Sequence, residues 1–437
     1  MSKTPETCVN LVLCWHMHQP WYRESQQGDY RLPWVYLHAL KDYADMAAHL
    51  EAHPKLRCVV NFTPVLLEQI DDYRRLFLDD VALLDVRAPV EFAEGAFPSA
   101  ENHPLIDDAE RHSIGIVYTE EGQQTAIEFG ETLVSGERKA TRIGQWRDFI
   151  ARHPDAVLYC FRGGMRSKIS QRWLHDEAGI DCPRVRGGYK AMRRFLLDEL
   201  AANSARCQPV VIGGRTGVGK TRLLAQCDSA IDLERLAHHR GSAFGNHPRP
   251  QPSQIDFENA VSIALLKRVA DDNRPFTVED ESRNIGSRHV PAVLFDAMQR
   301  APLILLEATD DERVDITLQE YVHDALAEFV AVFGEDTGFQ RWADYLRNSL
   351  DRIRRRLGGE RHATARSLLQ TALDSHARSG SREAHRAWIA YLLHEYYDGM
   401  YGYQLTQKAE RIVFHGPADD VLDYLVDQFG IRRRPAA

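Results

Sequence analysis

No apolar run in this chain approaches the roughly 20 residues that a membrane-spanning helix needs, which argues against a transmembrane architecture. A secretory leader is not expected either: Met1 to Glu6 is polar, and the apolar stretch Val9 to Trp15 has no basic flank and no cleavage site behind it. Positive charge is in deficit. A formal net charge of -9 excludes a bulk polycation, so any nucleic-acid contact must come from local basic patches. Paired Cys-x-x-Cys motifs are missing, and the seven cysteines (8, 14, 58, 160, 182, 207 and 227) are an odd number. This argues against a structural zinc site and for a reducing, cytoplasmic setting in which at least one thiol is free to react. Internal repeats and low-complexity segments are missing too. What remains is ordinary globular composition, 44% hydrophobic and 27% charged, in 437 residues, enough for two or three domains.

Three blocks differ in pattern. In residues 1–71, Leu11-Val-Leu-Cys-Trp15 reads as a strand opening into His16-Met-His18-Gln-Pro20, followed by a helix-period segment from Trp34 to Leu50 and a short strand Cys58 to Phe62. At 72 the pattern restarts: a strand over Val81 to Val86, helix and strand alternation, and a strand Ala156 to Tyr159 that delivers Cys160. It restarts again at 200 with Pro209-Val-Val-Ile-Gly213, a Gly-rich loop and a helix through Cys227; further strands follow at Phe276 to Glu279 and Leu303 to Glu307, separated by a helix over Ile255 to Ala270. Alternating strands and helices predict parallel α/β sheets over 72–199 and 200–310. From 311 to 437 the pattern reads as helical to the end, with turns at Gly358-Gly359 and Gly416-Pro417.

Two runs describe anion cradles. In Cys160-Phe-Arg162-Gly163-Gly164-Met-Arg166-Ser167, a cysteine leaves a buried strand into a loop whose two glycines permit a tight curl. Several backbone N–H groups can then aim at one point, a nest that favours a thiolate and receives an anion, with Arg166 supplying a fixed charge. A lone cysteine is as readily an inert core residue. Here it has company, because Leu84-Asp85-Val86-Arg87 through Asn102 resembles the first motif of rhodanese domains. The Cys-x5-Arg spacing is one residue longer than the commonest sulfurtransferase loop and equals that of the phosphatase relatives of the fold. A phosphatase reading therefore competes at this point.

The second cradle is Gly214-x4-Gly219-Lys220-Thr221, which follows an apolar strand and opens a helix, the context that gives this motif its meaning. Backbone N–H groups hold phosphate oxygens, Lys220 neutralises the terminal phosphate, and the Thr221 hydroxyl can take a magnesium ion. Phe276-Thr-Val-Glu279-Asp280-Glu281 offers Asp280 as a magnesium-side acid, although acidic residues also end strands for solubility. The loop's chemistry selects a diphosphate or triphosphate and leaves the rest of the ligand open.

A rhodanese-like domain joined to a phosphate-loop domain resembles the bacterial tRNA 2-selenouridine synthases over about 73–437. Further segments carry the likeness: Gly122-Gln-Gln-Thr-Ala-Ile, Arg186-Gly187-Gly188-Tyr189-Lys190-Ala, Leu236-Ala-His238-His239-Arg240-Gly241-Ser242-Ala-Phe244-Gly245, Glu279 to Gly286, and Tyr396-Tyr397-Asp398-Gly-Met400-Tyr401. Phe161 stands where a tryptophan is usual and Gly399 where a proline is usual. The resemblance implies an α/β rhodanese-like domain, then a P-loop NTPase-like domain with a helical C-terminal part. It implies replacement of sulfur by selenium at 2-thiouridine in the tRNA wobble position, with selenophosphate as donor and a geranylated intermediate made from geranyl diphosphate. Magnesium could accompany the diphosphate, a selenophosphate-producing enzyme could be a partner, and no metal ligand set is expected. Arg184, Arg186, Lys190, Arg193 and Arg194 form one basic cluster that could track tRNA, and Arg352, Arg354, Arg355 and Arg356 form another that reads equally as a solvated helix face. His238, His239 and Arg240 read as ligand contacts.

The first block, 1–71, resembles something else. Cys14-Trp-His16-Met-His18-Gln-Pro-Trp-Tyr22, Leu32-Pro-Trp34 through Met46, and Asn61-Phe-Thr-Pro64 through Gln69 look like the start of a family 57 glycoside hydrolase, whose catalytic carboxylate pair lies much further along. One opening strand and helix cannot close a barrel, so a non-catalytic fragment is expected. Two readings compete with the transferase: a sulfurtransferase or phosphatase with a regulatory phosphate loop, and a nucleotide-gated RNA-binding protein with an inert Cys160.

Overall fold

The computed structural model of the chain describes residues 14–17, 59–62, 72–271 and 273–434. Contacts divide the chain into two compact units, Met1–Leu76 and Phe77–Ala437. In the first, β1 (Cys14–Met17) and β2 (Val59–Phe62) pair in parallel, with His16 opposite Asn61. The helix expected over Trp34 to Leu50 lies outside the described residues.

The second unit opens with a three-stranded parallel sheet ordered β4-β3-β5, built from β3 (Leu83–Asp85), β4 (Ala100–Asn102) and β5 (Val157–Tyr159). Asp85 pairs with Tyr159 across β3 and β5, and Val86 N–H donates to the Tyr159 carbonyl at 3.0 Å. Parallel strands in this register end on one edge, so the Asp85-Val86-Arg87 run and Cys160 emerge side by side. Trp146, Phe149, Leu158, Trp173 and Leu174 pack beneath them. The buried Trp146 also donates its indole N–H to the His103 carbonyl at 2.8 Å, which satisfies its one polar atom.

The second sheet has five strands, all parallel, ordered β12-β11-β6-β8-β7: β6 (Pro209–Gly213), β7 (Ala230–Ile231), β8 (Phe276–Glu279), β11 (Leu303–Leu306) and β12 (Ile412–Gly416). β9 (Asn284–Ile285) and β10 (Arg288–His289) form a separate antiparallel pair. Side chains alternate faces along β6. Val211 joins a core with Leu200, Phe257, Leu265 and Leu294, whereas Val210 and Ile212 join another with Leu223, Leu224, Leu422 and Leu425. A sheet covered on both faces explains why β6 reads as a short unbroken apolar run.

The C-terminal part is helical with one exception. Ile412–Gly416 is a strand, which adds to the outer edge of β11 and is followed by the helix Ala418–Phe429. The pattern gave no hint of it because only alternate residues of β12 turn toward the protein and it borders helices on both sides. The helix after the phosphate loop is shorter than expected, Lys220–Ala225. It stops because the next residues turn to meet the far end of the chain: Cys227 bridges antiparallel to Arg433, and Asp228 N–H donates to the Arg432 carbonyl at 2.9 Å. Two π-helical segments, Gln319–Asp324 and Leu393–Asp398, interrupt the helical part, a geometry that often marks functional positions. No described helix is long and apolar enough to cross a membrane.

Candidate functional site

Cys160 leaves β5 into a loop that ends at the helix Met165–Ala178. Its thiol is 3% exposed and donates to the Ser167 hydroxyl at 3.2 Å, which in turn donates to the Gly164 carbonyl at 3.0 Å. Arg162 is exposed, and Gly163 and Gly164 make the curl. Arg166 turns back to a bidentate pair with Glu91, one contact of which is 3.0 Å, while the Cys160 sulfur is among the charges that act on its guanidinium. Burial opposes ionisation of Glu91, but the Arg166 hydrogen bond and charge, with the Ala88 N–H and Arg111, outweigh it and hold this carboxyl below the usual range. Glu91 is placed by its neighbours in the rhodanese-like motif. Arg87 is fully buried, doubly bonded to Asp85 at 2.8 and 2.6 Å, and donates to the carbonyls of Glu91 at 3.0 Å and Gly95 at 2.8 Å. The first motif therefore acts as the rigid back wall of the cysteine loop.

The segment Arg184–Lys190 clamps the loop from the other side. Arg184 donates to the Gly163 carbonyl at 2.6 Å, and the N–H groups of Tyr189 and Lys190 donate to the carbonyls of Cys160 and Phe161, each at 2.9 Å. Gly188 makes this approach possible: its φ is +59°, and a Cβ there would land on the Cys160 carbonyl oxygen. Gly188→Ala is therefore expected to cost about 1–3 kcal/mol and to cripple the cysteine-dependent reaction. Gly179→Ala, with φ +67° but open space around its Cβ, is expected to cost less and to spare the reaction; thermal unfolding and activity measured on both variants check this.

The basic cluster on this segment is largely consumed within the protein. Arg193 pairs with Glu258 and donates to Asn259 at 2.8 Å, joining the helix Gly188–Arg206 to the helix Gln254–Ala270, and Arg194 pairs with Asp198 at 3.0 Å. This corrects the expectation for Arg193, whose guanidinium is 15% exposed and tied across two helices. Lys190 is exposed and Arg186 half-buried.

The helix Gly188–Arg206 starts at the cysteine loop and ends just before β6, which leads into the phosphate loop. Gly214 begins that loop, and Gly219 precedes Lys220 and Thr221 at the start of the next helix. Gly217, at φ +82°, lies against the helix Asp310–Leu318, where a Cβ would stand 2.6 Å from the Thr317 hydroxyl and 3.0 Å from the Arg313 carbonyl. Arg313 is buried and locks the loop to the helical part: it donates to the Thr216 carbonyl at 3.0 Å and to Asp398 at 3.0 and 2.6 Å. Among the described residues, Lys220 Nζ donates to the Gly214 carbonyl alone, at 3.5 Å.

The acids around the loop are not arranged as the sequence suggested. Asp280 is capped by Lys408, with contacts of 2.8 and 2.6 Å, so its charge is neutralised by the last residue of the helix Gly399–Lys408. Glu234 and Glu281 are two further carboxylates near the loop. Thr221 donates to Glu234 at 3.3 Å, and Glu234 and Glu281 pack against Gly241. Burial raises both carboxyls, with Lys220 acting in the opposite direction on each. Among the described residues no group of three or more His, Cys, Asp or Glu could hold a metal ion. On the same turn as Gly241, burial pushes His239 down to about 4, helped by the charges of His247 and Arg240, so it is a neutral ring. His238 stacks on His247 at 4.2 Å, and Arg240 and His247 share Glu328.

An apolar cleft opens beside the phosphate loop. Thr216 of the loop lines it together with Phe244, Tyr321, Trp388, Leu393 and Tyr397, around a closed-down cavity of about 20 Å³. Tyr321, Leu393 and Tyr397 come from the two π-helical segments, which also deliver Asp398 to Arg313. Thr317, on the same wall, holds a buried hydroxyl with no partner. Sequence reasoning missed this cleft, although Tyr396-Tyr397-Asp398 and the 236–245 run had been singled out by resemblance.

Comparison with known proteins bears on this geometry. A family model described as the tRNA 2-selenouridine synthase AAA domain matches residues 207–430. Curated proteins named tRNA 2-selenouridine synthase are similar over most of the chain. The one from Bordetella petrii is 53% identical, covering 83% of this chain and 97% of its own length; that from Bordetella bronchiseptica is 55% identical, covering 81% and 96%; that from Marinobacter nauticus is 52% identical, covering 81% and 96%. A second family model, glycosyl hydrolase family 57, matches residues 12–136, which includes β1 and β2 and runs on into the second unit.

Proposed function

The chain belongs to the tRNA 2-selenouridine synthase family, and from that premise we infer how its two cradles divide the work. It is a tRNA-modifying transferase, with selenophosphate as the family's selenium donor. Membership sets aside the phosphatase, sulfurtransferase and RNA-binding alternatives. The finer reading is that the phosphate loop seats the diphosphate of geranyl diphosphate while the apolar side chains beside it part to take its ten-carbon tail. The observation that carries this is the small apolar cleft itself, which has four aromatic side chains in its wall and shares Thr216 with the loop. A prenyl diphosphate needs that pairing of an anion cradle and an apolar slot. In the first step the 2-thiouridine sulfur attacks carbon 1 of the prenyl group and diphosphate leaves. The S-alkylated base then carries a better leaving group: the selenium of selenophosphate bonds to carbon 2, geranyl thiolate departs and takes up a proton, and water cleaves the P–Se bond to release phosphate and leave 2-selenouridine. Cys160 assists the delivery of the selenium, with Arg162, Gly163, Gly164 and Arg166 forming the anion seat for selenophosphate.

Lys220 and Thr221, with the backbone between Gly214 and Gly219, would meet the diphosphate. A magnesium ion would enter on the diphosphate itself, because Asp280 is already neutralised by Lys408 and a small hard ion is commonly held through phosphates and few protein groups. The reducing cytoplasm is the expected setting, since Cys160, Cys182, Cys207 and Cys227 are all free thiols. A selenophosphate-producing enzyme is the expected supplier of the donor. We assign no glycosidase role to residues 1–71, because the catalytic carboxylate pair of the family they resemble is expected much further along a chain than this block reaches.

Mass spectrometry of nucleosides from 2-thiouridine-bearing tRNA, incubated with this protein, selenophosphate and geranyl diphosphate, tests the reading. Formation of 2-selenouridine that depends on geranyl diphosphate is the expected result. Selenation at full rate without any prenyl diphosphate would remove the geranyl step, and no change at all with folded protein would remove the whole assignment.

A further inference from the structure

We propose that Arg354, Arg355 and Arg356 form the surface on which the RNA phosphate backbone is held, a proposal that rests on the tRNA-modifying reading above. These three arginines occupy a one-turn helix, Arg354–Leu357, flanked by Ile353 and Leu357, which are 5% and 3% exposed and anchor the turn in the helical core. All three arginine side chains are exposed. No carboxylate among the described residues pairs with them.

Four neighbouring arginines of the helical part behave differently. Arg347 pairs with Asp344 at 2.9 Å, Arg361 with Glu395 at 3.0 Å, and Arg366 and Arg386 with Asp351 and Asp315. Asp351, the acid nearest in sequence, is already shared by His362 and Arg366. In a chain of net charge -9, three consecutive arginines left without acidic partners are a local excess of positive charge. Their fixed charges repel one another, a cost that a polyanion would relieve. The basic cluster near Lys190 lacks this property, because Arg184, Arg193 and Arg194 are spent on Gly163, Glu258 and Asp198.

Position supports the same partner. Arg352, one turn earlier, donates to the Ala243 carbonyl at 3.1 Å and to Ser349 at 2.7 Å. Ala243 lies on the turn whose Gly241 packs against Glu234, and Glu234 accepts the Thr221 hydroxyl. A short chain of contacts thus ties the arginine turn to the edge of the phosphate loop. A strand of RNA gripped there by its phosphates would be anchored on the part of the protein that meets the reacting base, with base identity read elsewhere.

The test is equilibrium binding of 2-thiouridine-bearing tRNA to the full chain across a salt series. It compares wild type with Arg354→Ala, Arg355→Ala and Arg356→Ala combined, and with the three corresponding arginine-to-lysine changes combined. Each lost phosphate contact should lower the slope of log K against log salt by about 0.7–0.9, so the alanine variant should lose about 2–3 from the slope and about 10- to 100-fold in affinity at 0.1 M salt. The lysine variant keeps the charge and should keep most of the slope. The KM for tRNA should rise in the alanine variant while kcat at saturating tRNA stays near wild type. Equal slope and affinity in the alanine variant would overturn the proposal alone. No tRNA binding by the wild type would overturn it together with the reading it rests on. Loss of binding in the lysine variant as well, with the thermal transition lowered in both, would overturn it in favour of a folding role for the turn.

Discussion

Replacing Cys160 by alanine is expected to lower 2-selenouridine formation by at least about 10³-fold while geranylated 2-thiouridine accumulates. The asymmetry follows from where the residue sits. Its thiol lies in the loop walled by Arg87, Glu91 and Arg166 and clamped by Gly188 and Tyr189, and no described contact of its side chain reaches the phosphate loop. The substitution is also mild for the fold. It deletes one thiol hydrogen bond to Ser167, at a cost on the order of 1 kcal/mol, and leaves that hydroxyl bonded to the Gly164 carbonyl. A thermal transition near wild type would therefore accompany a large loss of activity. Arg166→Ala would be a poorer probe, because it takes the bidentate partner from the largely buried Glu91 carboxylate, leaving only Arg111 and the Ala88 N–H, and so confuses chemistry with stability. A time course of nucleoside products by mass spectrometry decides the matter. Selenation at the wild-type rate in Cys160→Ala would leave the cysteine loop a structural relic, and loss of geranylation along with selenation would mean that the two cradles do not divide the work.

Both cradles were legible in the sequence because each is contiguous: strand, glycine-rich curl and charged residue follow one another within about ten positions, so composition and order carry the geometry. Pro209–Gly213 was readable to the residue because a strand covered on both faces is a short apolar run bounded by turns, and Phe276–Glu279 because its apolar residues alternate with polar ones at strand period. Partners separated by long stretches of chain were not legible. Asp280 reads as a free acid until Lys408, which lies 128 positions away, is seen to cap it. Arg193 reads as a surface cation until the helix Gln254–Ala270 brings Glu258 and Asn259 to it. Ile412–Gly416 becomes a strand only because the edge of β11 is open to receive it. In each case the local sequence specifies a residue's chemistry, whereas packing decides which charge remains for a ligand. The two arginine clusters were exchanged in rank by that rule, because one is paired inside the protein and the other is not.

Lys220→Ala is expected to reduce geranylation by about 10²–10³-fold, the scale seen when one preorganised electrostatic contact to developing charge is removed. The same variant should convert pre-geranylated tRNA to the selenouridine form at close to the wild-type rate, because no described contact joins Lys220 to the cysteine loop. A second consequence concerns pH. Burial raises the carboxyls of Glu234 and Glu281, and Lys220 is the cation that works against the shift on both. A carboxyl whose folded pKa is raised favours the fold below its unfolded value, near 4, and loses that contribution as pH climbs through the folded pKa. Without Lys220 the two acids should be raised further, so the stability deficit of the variant should widen between pH 5 and pH 8. Lys220→Arg keeps the charge and should restore the pH profile of stability, even where the bulkier guanidinium fits the loop poorly and geranylation stays low. Thermal unfolding of the three proteins across that pH range, run beside the nucleoside assay, separates the two roles. A deficit that stays constant with pH would show that Lys220 does not offset Glu234 and Glu281, and unimpaired geranylation in Lys220→Ala would move the diphosphate to another seat.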